Sequence, residues 1–299
     1  MTELLRAEGL TKYYSGRTSG LVKAVDGVTL RIESGETLAV VGESGSGKTT
    51  LGRCLLFMEQ PTAGRVFYQD REVGTLPPRQ RRALLGGAQV VYQDPFSSLN
   101  PHRTAFQQVL EPLEVLSRTG GTTRAELRDR ALEALDAVGI GGADVHKYPG
   151  AFSGGQRQRI GIARAVAVRP AFVFCDEPLS SLDLSVQAQV LRLLARLQTD
   201  LGLTYLFVSH DLAVVRDIST RTAVMLGGRI VELGPTEAVF TAPLHPYTRA
   251  LLAAIPLPDP RGAATRRAAR RQLRTEDSPK QRYGPLTEAT PGHWFAPPA

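Results

Sequence analysis

The chain has 299 residues, 42% of them hydrophobic, enough to bury one substantial core with an appended subdomain. Its net charge of +7 lies largely in Arg261, Arg266, Arg267, Arg270, Arg271 and Arg274, so the remainder is almost neutral. Two cysteines suit a reducing compartment. Glu3 and Glu8 stand where a signal peptide would be basic and then apolar, and no apolar run approaches the ~18 residues of a membrane span.

Over the first ~35 residues, Val22, Ala24, Val28, Leu30 and Ile32 include period-two stretches that predict strands. Ser34-Gly35 then turns the chain into the apolar run Thr37–Val41. The segment Gly42-Glu43-Ser44-Gly45-Ser46-Gly47-Lys48-Thr49 follows, and a helix is expected from about Thr49-Thr50-Leu51. A glycine-rich loop between a buried strand and a helix is suited to phosphate, because backbone N–H groups close around the oxygens and the helix N-terminus adds a favourable dipole. Lys48 is expected between the β- and γ-phosphates, and the Thr49 hydroxyl on magnesium. Gly64–Tyr68 reads as a short strand, Pro77-Pro78-Arg79-Gln80 opens a basic loop and helix, and Val90–Gln93 returns to the sheet. Gln93, at the end of that apolar run, is placed to hold both metal and lytic water.

From about Asp94 to Arg169 the pattern is mostly helical. Leu127, Ala131, Leu135 and Val138 recur at helical spacing, with Thr122 or Thr123 as N-cap and Gly139 as stop. Phe152-Ser153-Gly154-Gly155-Gln156-Arg157-Gln158-Arg159 precedes a helix expected from Gln156 to about Val168. An N-capping serine with flexible glycines accounts for its start but not for Gln156–Arg159. Phe172–Glu177 is an apolar strand ending on two carboxylates. Asp176 is placed to reach the magnesium shell through water, and Glu177 to accept a proton from attacking water. A helix over Val186–Leu197 precedes the strand Thr204–Ser209, whose end sets His210 to touch the γ-phosphate. Thr222–Leu226 is a further strand, and Gly227–Gly234 reads as a late strand pair. Strands alternating with helices predict a largely parallel core, with phosphate at the strand C-terminal ends.

Together these segments resemble the ATP-binding-cassette ATPases over roughly Leu4 to Gly234. Ser153-Gly154-Gly155-Gln156 resembles their signature motif, Ser180-Ser181-Leu182-Asp183 their D-loop, Gln93 their Q-loop and His210 their switch histidine. Tyr14 matches the aromatic residue that stacks on adenine, with Tyr13 as the alternative. The resemblance implies an α/β P-loop cassette with a mostly parallel core sheet, an N-terminal antiparallel β subdomain and an inserted helical subdomain. Residues 1–93 and 170–234 form the core, 94–169 the helical subdomain, 235–255 a helical extension and 256–299 an Arg/Pro-rich, partly disordered tail. ATP binding falls to Tyr14, Gly42, Glu43, Ser44, Gly45, Ser46, Gly47, Lys48, Thr49 and Thr50, and magnesium to Thr49, Gln93 and Asp176. Hydrolysis falls to Glu177, Gln93, His210 and Lys48. Ser153, Gly154, Gly155, Gln156 and Asp183 are expected to face the ATP of a second cassette.

A narrower resemblance, to the oligopeptide/dipeptide importer branch, rests on Tyr92–Pro101, Ala188-Gln189-Val190-Leu191, Ser209-His210-Asp211-Leu212, His245-Pro246-Tyr247-Thr248-Arg249-Ala250-Leu251-Leu252 and Pro291–Trp294. It implies two membrane permease partners, a second ABC ATPase of the same or another kind, and indirectly a solute-binding protein. The location implied is the cytoplasmic face of a bacterial cell membrane, with Asp94–Pro101 meeting a permease's coupling helix. Nickel and glutathione importers carry similar ATPases, and a peptide or drug exporter would share the chemistry. The arginine-rich tail leaves room for a soluble ribosome- or DNA-associated cassette, against which stand the lack of an internal repeat, a heptad run or a cysteine cluster. Lacking interleaved aromatics, the tail reads as a solvated linker or a lipid contact, and no nucleic acid is expected. Cys54 and Cys175 have no ligand-like neighbours in sequence, so ATP and Mg2+ are expected without an iron–sulfur cluster.

Overall fold

The computed structural model describes residues 2–16, 20–94, 98–117, 122–254 and 283–298. In chain order its strands are β1 (Glu3–Gly16), β2 (Gly20–Glu33), β3 (Thr37–Val41), β4 (Ala63–Tyr68), β5 (Arg71–Glu72), β6 (Ala88–Val91), β7 (Phe172–Asp176), β8 (Thr204–Val208), β9 (Arg221–Leu226), β10 (Arg229–Pro235), β11 (Thr287–Thr290) and β12 (His293–Phe295). The α-helices are α1 (Lys48–Leu55), α2 (Pro78–Leu85), α3 (Ala105–Ser117), α4 (Arg124–Ala137), α5 (Gly154–Val166), α6 (Leu184–Leu201), α7 (Leu212–Ile218), α8 (Thr236–Thr241) and α9 (Pro246–Ala253). The chain divides into two compact units.

One unit comprises Met1–Leu5, Glu33–Gly35 and Phe67–Leu206 and holds the helical segment. Strands β6 and β7 pair in parallel, from Ala88 opposite Phe172 to Val91 opposite Cys175. All five residues of β7 are buried. A strand covered on both faces reads as a continuous apolar run rather than an alternation. Helices α3, α4 and α5 pack on one another. A capping box starts α4: Thr123 accepts from Glu126 N, and the Glu126 carboxylate accepts from Thr123 N. This singles out Thr123 over Thr122. Helix α5 begins two residues earlier than expected because Ser153 forms the same kind of box with Gln156. Helix α6 outruns Val186–Leu197 at both ends, being capped by Asp183 and closed at Gly202.

The other unit comprises Arg6–Ile32, Glu36–Val66 and Phe207–Ala299. It contains most of the sheet ordered β2-β1-β4, and a second run of strands ordered β11-β12-β10-β9-β3. Strands β3 and β9 are parallel, from Leu38 opposite Arg221 to Val41 opposite Val224. The expected strand pair within Gly227–Gly234 is instead one turn and one strand. Gly227 and Gly228, with φ of 54° and 84°, form the two-residue connection that folds β10 back on β9. Such a turn requires positive φ at both central residues. Ala39, Val41, Leu212, Val215, Val224, Val231, Val239 and Tyr247 share one buried cluster beneath these strands.

The end of the tail also differs from expectation. The arginines from Arg261 to Arg274 lie outside the described residues, but β12 extends the sheet antiparallel to β10, with Glu232 opposite Phe295 and Leu233 opposite Trp294, and β11 pairs antiparallel with β12. All four residues of β11 are exposed, and β12 has only three residues. Neither is long or apolar enough to register as a periodicity.

Candidate nucleotide site

In the unit carrying β3, the phosphate loop follows that strand and leads into α1. Gly47 is the helix N-cap in a left-handed conformation, φ 104°. A Cβ there would lie 1.9 Å from Ala24 O and 2.9 Å from Met225 Cε, so only glycine fits. Lys48 is 5% exposed, and its Nζ donates to Gly42 O and Glu43 O, each at 2.9 Å. The ammonium is thus held within the loop by the carbonyls that bracket it. Glu43, Ser44 and Gly45 are exposed, while Thr49 and Thr50 are half-buried at the start of α1. His210 is exposed just beyond β8, where Ser209 N donates to Val40 O at 3.3 Å. That bond sets His210 at the same end of the sheet as the loop.

The two candidate tyrosines have different surroundings. The Tyr13 phenol donates to the Asp26 carboxylate in a very short contact, and Lys23 Nζ lies 5.2 Å from its ring centroid. Its pKa is raised, chiefly because the Asp26 hydrogen bond holds the proton. Tyr14 is 38% exposed, with Lys12 Nζ 5.1 Å from its ring centroid. It interacts with Thr50 and Glu59, and its pKa is raised first by burial. Of the two, Tyr14 is the more exposed ring and the one that interacts with Thr50 of α1.

In the helical unit, parallel register brings Gln93 and Glu177 together. Each lies two residues beyond the paired Val91 and Cys175, and Gln93 Nε2 donates to Glu177 Oε2 at 3.2 Å. Glu177 has φ 47°, a left-handed conformation that costs a non-glycine residue on the order of 1 kcal/mol or more. The turn is stabilised by Ser180, whose N and Oγ both donate to Glu177 O, at 3.3 and 3.1 Å. Asp176 is only 4% exposed at the end of β7. Adjacent carboxylates thus have unlike settings, one buried and one held outward beside an amide.

Ser153 is exposed at the N-terminus of α5, its Oγ accepting from Gln156 N at 3.3 Å. Gly155 lies against α6, where a Cβ would meet Val186 Cγ1 at 2.4 Å. Asp183 caps α6, accepting from Val186 N at 3.0 Å and from Ser185 Oγ at 2.7 Å. The Ser185 bond, then the backbone one, holds its carboxyl below the usual range. Cys54 and Cys175 are both fully buried; burial pushes the first up to about 11 and the second further. Among the described residues no group of three or more His, Cys, Asp or Glu is placed to hold a metal.

Sequence reasoning missed one contact of the loop. Glu43 N donates to Tyr247 Oη at 3.0 Å, across 204 residues of chain. The motif His245-Pro246-Tyr247 was visible, but nothing in it names a partner that distant.

Comparison with known proteins bears on what this geometry does. A family model described as ABC transporter matches residues 25–180, and one described as oligopeptide/dipeptide transporter, C-terminal region, matches 231–284. The oligopeptide transport ATP-binding protein OppF of Lactococcus lactis is 43% identical, covering 100% of this chain and 97% of that protein. YkfD of Bacillus subtilis, provisionally named an oligopeptide transport ATP-binding protein, is 47% identical, covering 86% of this chain and 78% of its own length. A dimeric ATP-binding cassette solved in a post-hydrolysis state with ADP and Pi superposes with a TM-score of 0.70 at 29% identity, over 78% of this chain and 99% of that one.

Proposed function

The chain belongs to the ABC transporter family and is an ATP-binding ATPase of that family, and on this premise we propose that it energises a bacterial importer of di- and oligopeptides. The observation that carries the peptide assignment is the second family match. It falls on 231–284, the stretch that holds α8 and α9, outside the cassette motifs shared by all such ATPases.

The reaction is in-line attack of water on the γ-phosphate of ATP. Glu177 takes the water's proton, and the Gln93 carboxamide beside it at 3.2 Å orients both. His210 contacts the γ-phosphate, and Lys48 leaves the loop carbonyls to compensate the phosphate charge. Tyr14 stacks on adenine, and backbone N–H groups of the loop beyond Glu43 and of the start of α1 enclose the phosphates. Thr49 at the start of α1, and Gln93 and Asp176 in the helical unit, each carry an oxygen donor of the hard kind that magnesium takes. When bound, magnesium supplies charge neutralisation at the β- and γ-oxygens.

A second cassette completes the site. Ser153, Gly154, Gly155 and Gln156 open a helix whose N–H groups and dipole suit an anion supplied from outside the chain. Leu184, next to Asp183, is 80% exposed, an apolar side chain that a second cassette would cover. The permease surface is a groove of about 780 Å3 in the helical unit, where Tyr92, Val115 and Leu116 are exposed beside Pro112, Ser98 and Arg164. Arg164 donates to Ser98 O at 2.5 Å, tying α5 to the segment expected to meet the coupling helix; Pro95–Ser97 of that segment lie outside the described residues. No helix among the described residues is long and apolar enough to cross a membrane. In this reading, attachment to the cytoplasmic face of the cell membrane runs through two permeases. A solute-binding protein delivers the peptide to them.

The test is uptake of labelled di- and tripeptides by cells whose chromosomal copy carries Glu177→Gln. Loss of peptide uptake supports the assignment. Uptake at the parental rate, with the variant present at parental level, contradicts it.

A further inference from the structure

The contact between the phosphate loop and the C-terminal extension has no part in the chemistry above. Glu43 N donates to Tyr247 Oη at 3.0 Å, while Glu43 O accepts from Lys48 Nζ at 2.9 Å and from Ser46 N at 3.1 Å. Both ends of this exposed residue are occupied, and the N–H finds its partner outside the loop. The Tyr247 side chain is 6% exposed. It belongs to the same buried cluster as Ala39 and Val41 of β3, which lead into the loop, and Leu212 and Val215 of α7, which follow His210. A buried tyrosine of this kind has an apolar ring and one hydroxyl that needs a partner.

The position of that hydroxyl is set by the start of α9. His245 Nδ1 accepts from Tyr247 N at 3.0 Å, and Pro246 occupies the first turn. The Glu232 carboxylate, fully buried, accepts from Leu244 N and His245 N, each at 2.9 Å. Its Oε1 also meets His293 Nε2 of β12 at 2.8 Å. Tyr283 lies edge-on to His245, with ring centroids 4.6 Å apart. An unbroken series of contacts therefore runs from the C-terminal hairpin through Glu232 and His245 to Tyr247 and the phosphate loop, all within one compact unit.

We propose that Tyr247 is a positioning residue for nucleotide binding, and that the Glu232–His293 contact makes its placement depend on the docked C-terminal hairpin. This rests on the loop being the ATP phosphate site. A glycine-rich loop loses much conformational freedom when its N–H groups converge on phosphate. Holding Glu43 in place beforehand removes part of that cost from the binding step. The effect belongs to affinity, since Glu43 touches no reacting atom.

The experiment compares the full-length wild-type chain with Tyr247→Phe, which keeps the ring and deletes the hydroxyl. Calorimetry gives the Kd for Mg-ADP, steady-state kinetics give KM and kcat for ATP, and thermal unfolding gives Tm. Kd and KM are expected to rise about 3- to 10-fold, the range for one lost hydrogen bond, with kcat within about twofold. A Kd equal to wild type overturns the proposal, whether or not Tm falls. His293→Ala is expected to raise Kd in the same direction, and the double variant by less than the product of the two. Multiplicative effects would overturn the link to the hairpin.

Should Tyr247→Phe not fold, exchange of the Glu43 amide in the nucleotide-free wild type decides. Protection relative to Ser44 and Gly45 is expected, and exchange as fast as theirs overturns the contact. A wild-type chain that bound no nucleotide would refute the ATP reading itself. Equal binding by wild type and Tyr247→Phe refutes only the role of Tyr247.

Discussion

Ser153 has a local task and a proposed distant one, and one substitution separates them. Its Oγ accepts from Gln156 N at 3.3 Å, and its own N donates to Gln156 Oε1 at 3.0 Å. Ser153→Ala removes the cap and is expected to cost about 1 kcal/mol, or roughly 2–4 °C in Tm for a domain this size. Ser153→Asp keeps an excellent N-cap acceptor and is expected to leave Tm within ~1 °C. If Ser153 only starts α5, the aspartate variant hydrolyses ATP like wild type. If it meets the γ-phosphate of ATP on a second cassette, the new carboxylate opposes phosphate charge, and turnover falls by about 10²-fold or more. The assay is phosphate release by the purified transporter, paired with nucleotide titration of the isolated chain, where Kd stays unchanged. Wild-type turnover by Ser153→Asp would refute the trans-phosphate role.

Glu177→Gln retains an amide-sized partner for Gln93 but accepts no proton, so turnover should fall by ~10²-fold or more while ATP binding persists. Light scattering should then find an ATP-dependent dimer, and normal turnover would remove Glu177 as base. Gly155→Ala drives a Cβ to 2.4 Å from Val186 Cγ1, on a β-branched side chain with little freedom to yield. It should cost about 1–3 kcal/mol in denaturant unfolding, most of it recovered by adding Val186→Ala. Burial holds the Cys54 thiol up at about 11 and Cys175 higher, so at pH 8 only about a thousandth of Cys54 is thiolate. A charged disulfide reagent should label neither cysteine in the native protein and both after unfolding; prompt native labelling would contradict the burial.

The residues legible in the sequence were those whose placement follows from their neighbours in the chain. Lys48 and Thr49 are marked by the glycines before them, and Asp176 and Glu177 by the apolar strand they end. Even the Gln93–Glu177 contact follows from two strands of known end-points once they pair in parallel. The left-handed backbone of Glu177 was not legible, because an acidic residue before proline gives no sign of positive φ. Tyr247 escaped because its partner is a backbone N–H, which every residue but proline carries. The C-terminal hairpin escaped for another reason. Its docking depends on His293 reaching Glu232 and on Ala296 N donating to Val231 O at 2.8 Å, contacts that a stretch of three strand residues cannot announce.

The central claim is that this ATPase works beneath a peptide-importing permease. The most direct measurement is affinity purification of the tagged chain from native membranes in mild detergent, with mass spectrometry of what accompanies it. The account predicts two multi-spanning permeases, a partner ATPase or a second copy of this chain, and a peptide-binding protein. Ribosomal or DNA-repair proteins, recovered without permeases, would contradict it.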